Sequence, residues 1–157
     1  EFFTHFARGT LQKLDGHAFL CLGGARYMDL MNTPMHSEIS DADIERCLSH
    51  PPGSAKIILS HDCPSGIGVP NTPGLEFYGP PGIVRSAEII CRYEPRLWVF
   101  GHHHKWFAVK EGGTFFQGLA ESWKGFGVLE SDSTFTAFDN PVELVHEPFW
   151  RRWFASF

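Results

Sequence analysis

With 157 residues and 13 Lys and Arg against 18 Asp and Glu, the chain carries a formal net charge of −5, so general nucleic-acid binding is not expected. Hydrophobic residues at 43% and charged residues at 20% place it in the globular range and exclude an intrinsically disordered chain. One domain of this length buries about two-thirds of its unfolded surface, enough for a core without metal or disulfide staples, so any metal is expected to serve function.

Residues 4–14 space Phe6, Leu11 and Leu14 in a weak helical pattern that stops at the turn dipeptide Asp15-Gly16. Residues 18–22 are a short apolar run, read as a buried strand ended by Gly23-Gly24, and 26–34 read as irregular loop. Ser40-Asp41-Ala42-Asp43 offers an N-cap with Asp43 at capping-box spacing, which predicts a short helix through Leu48 that Pro51-Pro52-Gly53 terminates. Lys56-Ile57-Ile58-Leu59-Ser60 has the composition of a central strand and delivers His61-Asp62-Cys63-Pro64 at its end. From 65 to 82 the chain is dense in Gly and Pro, which argues against a helix or central strand; long loops inside compact domains tend to be functional. Helical spacing returns over 83–93, with Ile83, Val84, Ala87, Ile90 and Cys91 on the predicted apolar side and Arg85, Glu88 and Arg92 on the other. Residues 96–100 form a second apolar strand that runs straight into Gly101-His102-His103-His104. Strands are then predicted over 106–109, 114–117, 125–130 and 134–138, with turns at Glu111-Gly112-Gly113 and Ser131-Asp132-Ser133.

Two strands that each end in histidine carry the strongest chemical signal. Ligands of α/β sheets gather at the C-terminal ends of strands, and neutral imidazole is the common ligand for Zn, Fe, Ni and Mn. His102 and His104 share one face if the backbone is extended, or diverge toward two neighbouring metals if Gly101 opens a turn. His61, at the end of an expected adjacent parallel strand, reaches the same spot. The ordinary alternatives are a solvated turn for the triplet and a group satisfying backbone carbonyls for His61.

Together, residues 57–64 (Ile-Ile-Leu-Ser-His-Asp-Cys-Pro) and 97–104 (Leu-Trp-Val-Phe-Gly-His-His-His) resemble the C-terminal half of a calcineurin-like metallophosphoesterase. In that family a strand ending in Ser/Gly-His and a later strand ending in Gly-His-x-His supply metal ligands. Gly23-Gly24-Ala25 after a strand, and 114–118 leading to 125–130, are similar to further parts of the family, so the resemblance spans 16–139. It implies an α/β fold of two facing mixed β-sheets flanked by helices, a four-layer αββα sandwich. Residues 1–139 would be its C-terminal part and 140–157 a tail. It also implies two divalent metal ions, Mn, Fe, Zn or Ni, with His61 and His102 on one, His104 on the other, and His103 facing solvent or substrate. The implied reaction is hydrolysis of a phosphomonoester or phosphodiester by a metal-bridging hydroxide, since two metals about 3.5–4 Å apart clamp the attacking and leaving oxygens.

The family's Asp-x-His, Gly-Asp and Gly-Asn-His-Glu/Asp motifs, which supply the bridging carboxylate, the other ligands and the leaving-group acid, are missing from their places. Asp15-Gly16-His17 spells Asp-x-His, but it precedes a strand and so reads as a turn. Because the chain opens on Glu rather than Met, its start is expected to lie inside a longer polypeptide, with the catalytic residues upstream of residue 1 and Glu1 a candidate end of the third motif. These residues alone are expected to bind metal weakly and turn over little. The rival reading is a non-catalytic interaction scaffold that kept the fold and part of the metal site.

Several residues keep two readings. Asp62 orients an imidazole, or it is a turn residue bonding its own backbone. Tyr78 and Arg85 form a substrate lip, by stacking and phosphate contact, or belong to a rigid connector in which Arg85 simply faces solvent at a helix start. Cys63 reads as a small buried hydrophobe. The spacing of Cys21, Cys47, Cys63 and Cys91 fits neither a metal knuckle nor a disulfide scaffold, which suits a reducing, cytoplasmic setting. No stretch approaches the ~18 apolar residues of a membrane span, and the first residues lack a signal-peptide layout. The aromatic and basic segment 148–157 docks on a membrane surface or partner, or packs over the second sheet.

Overall fold

Residues 4–25, 36–71, 73–74 and 76–140 are described by a computed structural model. Thr10–Leu14 (β1) and His17–Leu22 (β2) pair antiparallel from Leu14 opposite His17 back to Thr10 opposite Cys21. Only Asp15 and Gly16 make the turn, both at positive φ (46° and 81°), the two-residue geometry whose twist suits paired strands. The helix expected over 4–14 is therefore corrected to a loop and a strand. Three apolar positions at loose helical spacing could not compete with a register fixed by that turn and by pairing to β2.

The helix Asp41–Leu48 (α1) starts where its capping box predicts: the Asp43 amide donates to the Ser40 hydroxyl, and the Ser40 amide donates to the Asp43 carboxylate at 3.0 Å. It buries Ile44 and Cys47. Ile57–Ser60 (β3) follows, and the Gly/Pro-dense loop after it holds one 3-10 turn, Glu76–Tyr78. Ile67 and Val69 of this loop are buried in the core. The second helix, Ser86–Tyr93 (α2), begins three residues later than its spacing suggests, because Ile83 is held beside Pro64, its amide donating to the Cys63 carbonyl at 2.8 Å. Its buried face is Ser86, Ile89 and Tyr93, whereas Val84, Ala87 and Cys91 are exposed. The predicted apolar side is thus rotated, since the true start shifts which residues meet the sheet.

Leu97–Phe100 (β4), Phe107–Glu111 (β5) and Thr114–Gly118 (β6) complete a six-stranded sheet in the order β1-β2-β3-β4-β6-β5. β2, β3, β4 and β6 run parallel, and β1 and β5 close the edges antiparallel. Alternation along the strands splits the sheet into two faces. Leu20, Leu22, Ile58, Trp98, Phe100 and Phe116 face the core shared with α1 and α2. Phe19, Ile57, Leu97 and Val99 face the other way, where Leu129 and Phe135 pack on them from a two-stranded ribbon, Gly125–Leu129 (β7) and Phe135–Asp139 (β8). The fold is mixed α/β. Among the described residues no helix is long and apolar enough to cross a membrane. The loop expected over 26–34 and the segment 148–157 lie outside the described residues.

Candidate metal centre

Parallel pairing of β3 with β4, Ile57 opposite Leu97 through Leu59 opposite Val99, brings the two histidine motifs together at the C-terminal ends of two central strands. Backbone bonds carry the pairing just past the strands: the His61 amide donates to the Leu22 carbonyl and the Gly101 amide to the His61 carbonyl, each at 3.1 Å. The side chains then converge. His61 Nε2 lies 3.0 Å from His102 Nδ1, with the rings edge to face at 4.8 Å between centroids. Burial holds the His102 imidazolium below the ordinary histidine range, so its ring stays neutral and keeps a lone pair.

Beneath this pair lies a second one. Asp62, 1% exposed, accepts from the Cys63 amide at 2.8 Å and pairs with His103 Nε2 at 2.9 Å. The Ser60 hydroxyl donates to the Asp62 carbonyl at 2.6 Å and accepts from the fully buried Trp98 indole at 2.7 Å. Asp62 bonds the next backbone amide, as its turn reading has it, and it also pairs with an imidazole, though not that of an assigned ligand. That imidazole is His103. His103 is therefore turned inward, away from solvent, because a buried carboxylate requires donors and the neighbouring loop supplies this one.

His104 is largely exposed and points elsewhere, 4.0 Å from Glu121. The ligand atoms of His61, His102 and His104 do not gather within 4.8 Å of one another; Asp62, Cys63 and His103 do. Burial first, then the charge of Asp62, pushes the Cys63 thiol up to about 12, so it is protonated in the metal-free protein. The small-hydrophobe reading of Cys63 matches its full burial. His61 with His102 is a second donor pair. Metal–nitrogen bonds of about 2.0–2.1 Å at tetrahedral angles set two ligand nitrogens about 3.3 Å apart, and the observed 3.0 Å fits within a few tenths.

Glu121 was not singled out from sequence. Its carboxyl is held below the ordinary glutamate range chiefly by Lys124, whose Nζ lies 2.8 Å away. The strand-end argument could have found it, since β6 is parallel to β4 and Glu121 lies three residues beyond its end. Arg85, by contrast, is committed to three carboxylates: Glu88 at 2.6 Å, Glu45 at 2.7 Å and Asp41 at 3.4 Å. It ties α1 to α2 instead of simply facing solvent at a helix start. Tyr78 closes the 3-10 turn, and its side chain lies outside the described residues.

Neither a scan against protein-family models nor a search of curated proteins finds a match. Among solved structures, one crystal structure is similar over 84% of this chain and 52% of its own, at 14% identity and a TM-score of 0.57. A second, the protein TT1561 of Thermus thermophilus, is similar over 84% of this chain and 57% of its own, at 14% identity and a TM-score of 0.49. The chain thus spans about half the length of each, and its mixed α/β fold is one already seen in the first of them.

Proposed function

We propose that these residues are the C-terminal part of a calcineurin-like metallophosphoesterase that hydrolyses a phosphomonoester or phosphodiester. The observation that carries this reading is the meeting of His61 and His102, from two separate strand ends, at 3.0 Å. The four-layer αββα arrangement belongs to the same proposal. Leu59, in a central strand, is 37% exposed on the face that carries the β7–β8 ribbon, and a further β layer there would cover it.

Two divalent cations, Mn, Fe, Zn or Ni, would supply Lewis acidity and a water deprotonated near neutral pH. His61 Nε2 and His102 Nδ1 would hold one. His104 would hold the other, consistent with its divergence from the first pair, and Glu121 lies where it could hydrogen-bond that imidazole. This chain's part is to offer imidazoles preset at the C-terminal ends of two central strands, with Asp62 held beside them. The residues that would bridge the metals and protonate the leaving group are assigned to sequence upstream of residue 1.

The test is Mn-dependent hydrolysis of an aryl phosphodiester by the full-length polypeptide beside His61→Ala and His102→Ala. Groups that merely orient ligands account for about 10–100-fold, so loss of a ligand is expected to cost about 100-fold or more in turnover. Turnover unchanged by both substitutions would remove the assignment, and a folded wild type without hydrolysis would return the molecule to the scaffold reading.

A further inference from the structure

We propose that His103 and Asp62 are positioning residues that latch the loop after β4 to the C-terminal end of β3 and thereby set the outward pose of His102 and His104. The inference rests on the metal-site reading above.

Three consecutive histidines leave the sheet, and the backbone sorts them. His102 and His104 sit at φ 62° and 54°, the left-handed region that residues with a Cβ seldom adopt, and His103 between them does not. Such conformations persist only where surrounding contacts over-determine them. The contacts here fall on the middle residue. Its side chain is 12% exposed, its Nε2 lies 2.9 Å from Asp62 Oδ1, and its amide donates to the Gly101 carbonyl at 2.7 Å. The Phe100 ring stands edge-on to it at 6.5 Å between centroids.

Asp62 is itself a fixed anchor. Its carboxylate receives the Cys63 amide, and its carbonyl receives the Ser60 hydroxyl, which in turn takes the indole N–H of fully buried Trp98. A rigid line therefore runs from the middle of β4, through β3, to the imidazole of His103. With the middle side chain pulled inward, the left-handed residues on either side carry theirs away from it: His102 toward His61 at 3.0 Å, His104 toward Glu121 at 4.0 Å. The latch thus holds His102 and His104 in different directions, as ligands of two separate ions require.

Glutamine separates the roles that an imidazole could play. Its side-chain amide reaches about as far as Nε2 and still donates to Asp62, yet it neither carries a titrating proton nor ligates as imidazole does. Cobalt(II) affinity of the full-length polypeptide, read from visible absorption, is expected to fall about 10–100-fold in His103→Ala and to stay within about threefold of wild type in His103→Gln. A His103→Gln variant as weak as His103→Ala overturns the proposal, because the imidazole itself would then be the needed group. Wild-type affinity in His103→Ala overturns it as well. If His103→Ala does not fold, His103→Gln decides alone.

A second measurement needs no metal. Three-bond HN–Hα couplings of residues 102 and 104 in the metal-free protein, which report their φ, are expected to hold in His103→Gln and to change in His103→Ala; unchanged couplings in the alanine variant overturn the latch. Should wild type take up no cobalt, the phosphoesterase reading fails, and these couplings still decide the latch.

Discussion

Asp62 sits with 1% of its surface exposed one residue from a candidate ligand, and its cost is offset by donors from Cys63 and His103. The same burial quiets the thiol beside it. Thiolate is the reactive form, and burial pushes Cys63 up to about 12 and Cys47 up to about 11, while Cys91 is exposed. Iodoacetamide at about pH 8 is therefore expected to label Cys91 in the native protein and to reach Cys63 and Cys47 only after denaturation, as read by peptide mass mapping. Early labelling of Cys63 would mean that the strand ends open. At this scale His61 and His102 could be read from sequence as strand-end histidines. The inward turn of His103 could not, because three identical residues in a row differ only in backbone φ, which pairing and packing decide.

Among the elements, two glycines show two kinds of constraint. Gly16, in the β1–β2 turn at φ 81°, has nothing within 4 Å of where a Cβ would stand, so Gly16→Ala pays only the left-handed backbone, about 1–2 kcal/mol. Gly82, at φ 102°, would place a Cβ 2.7 Å from the Cys63 carbonyl and 2.8 Å from the Ser65 amide, both backbone atoms that cannot swing aside. Gly82→Ala is expected to cost about 3 kcal/mol and to loosen the loop beside the candidate metal centre, measured by denaturant unfolding. The capping box of α1 gives a pH-dependent case. Burial acts to raise the Asp43 carboxyl, but the Ser40 amide and hydroxyl and the Arg8 and Arg46 charges outweigh it, so the group is held below its ordinary value. A lowered folded-state value means that this stabilisation is present above the ordinary aspartate range and fades as pH falls through the folded-state value. Ser40→Ala is expected to cost about 1 kcal/mol near neutral pH and less once Asp43 is protonated, read from melting at several pH values. The N-cap of α1 was legible because a cap is a local hydrogen-bond pattern. The start of α2 was not, because the contact that delays it joins Ile83 to Cys63, twenty residues earlier in the chain.

For the whole molecule, the parallel pairing of β3 with β4 brings His61, Asp62, His102 and His103 together just past the C-terminal ends of the two strands, while one face of the sheet takes the ribbon. Arg85 lies on the helical side of the sheet, where three carboxylates from α1 and α2 hold it. Arg85→Met is expected to lower the melting temperature more at low salt than at high salt, since exposed ion pairs are screened, and, on the proposed phosphoesterase reading, to leave KM of the full-length polypeptide for an aryl phosphodiester unchanged. A raised KM with unchanged stability would restore the substrate-lip reading. Trp98 ties neighbouring strands of one sheet, packing against Phe116 of β6 while its indole donates to the Ser60 hydroxyl of β3.

The sequence by itself determined what depends on neighbours in the chain: the capped helix at 41–48, the apolar strands at 57–60 and 97–100, the Asp15-Gly16 turn, and histidine at two strand ends. Those features follow from local hydrogen bonds, side-chain periodicity and backbone freedom, which short windows contain. Only the tertiary structure decided that 10–14 is a strand, that Arg85 braces two helices, that His103 turns inward to Asp62 and that Glu121 comes within reach of His104. The last three of these join groups far apart in the chain, and the first depends on a partner strand. Register and packing between strands set such distances, and no window of sequence carries them.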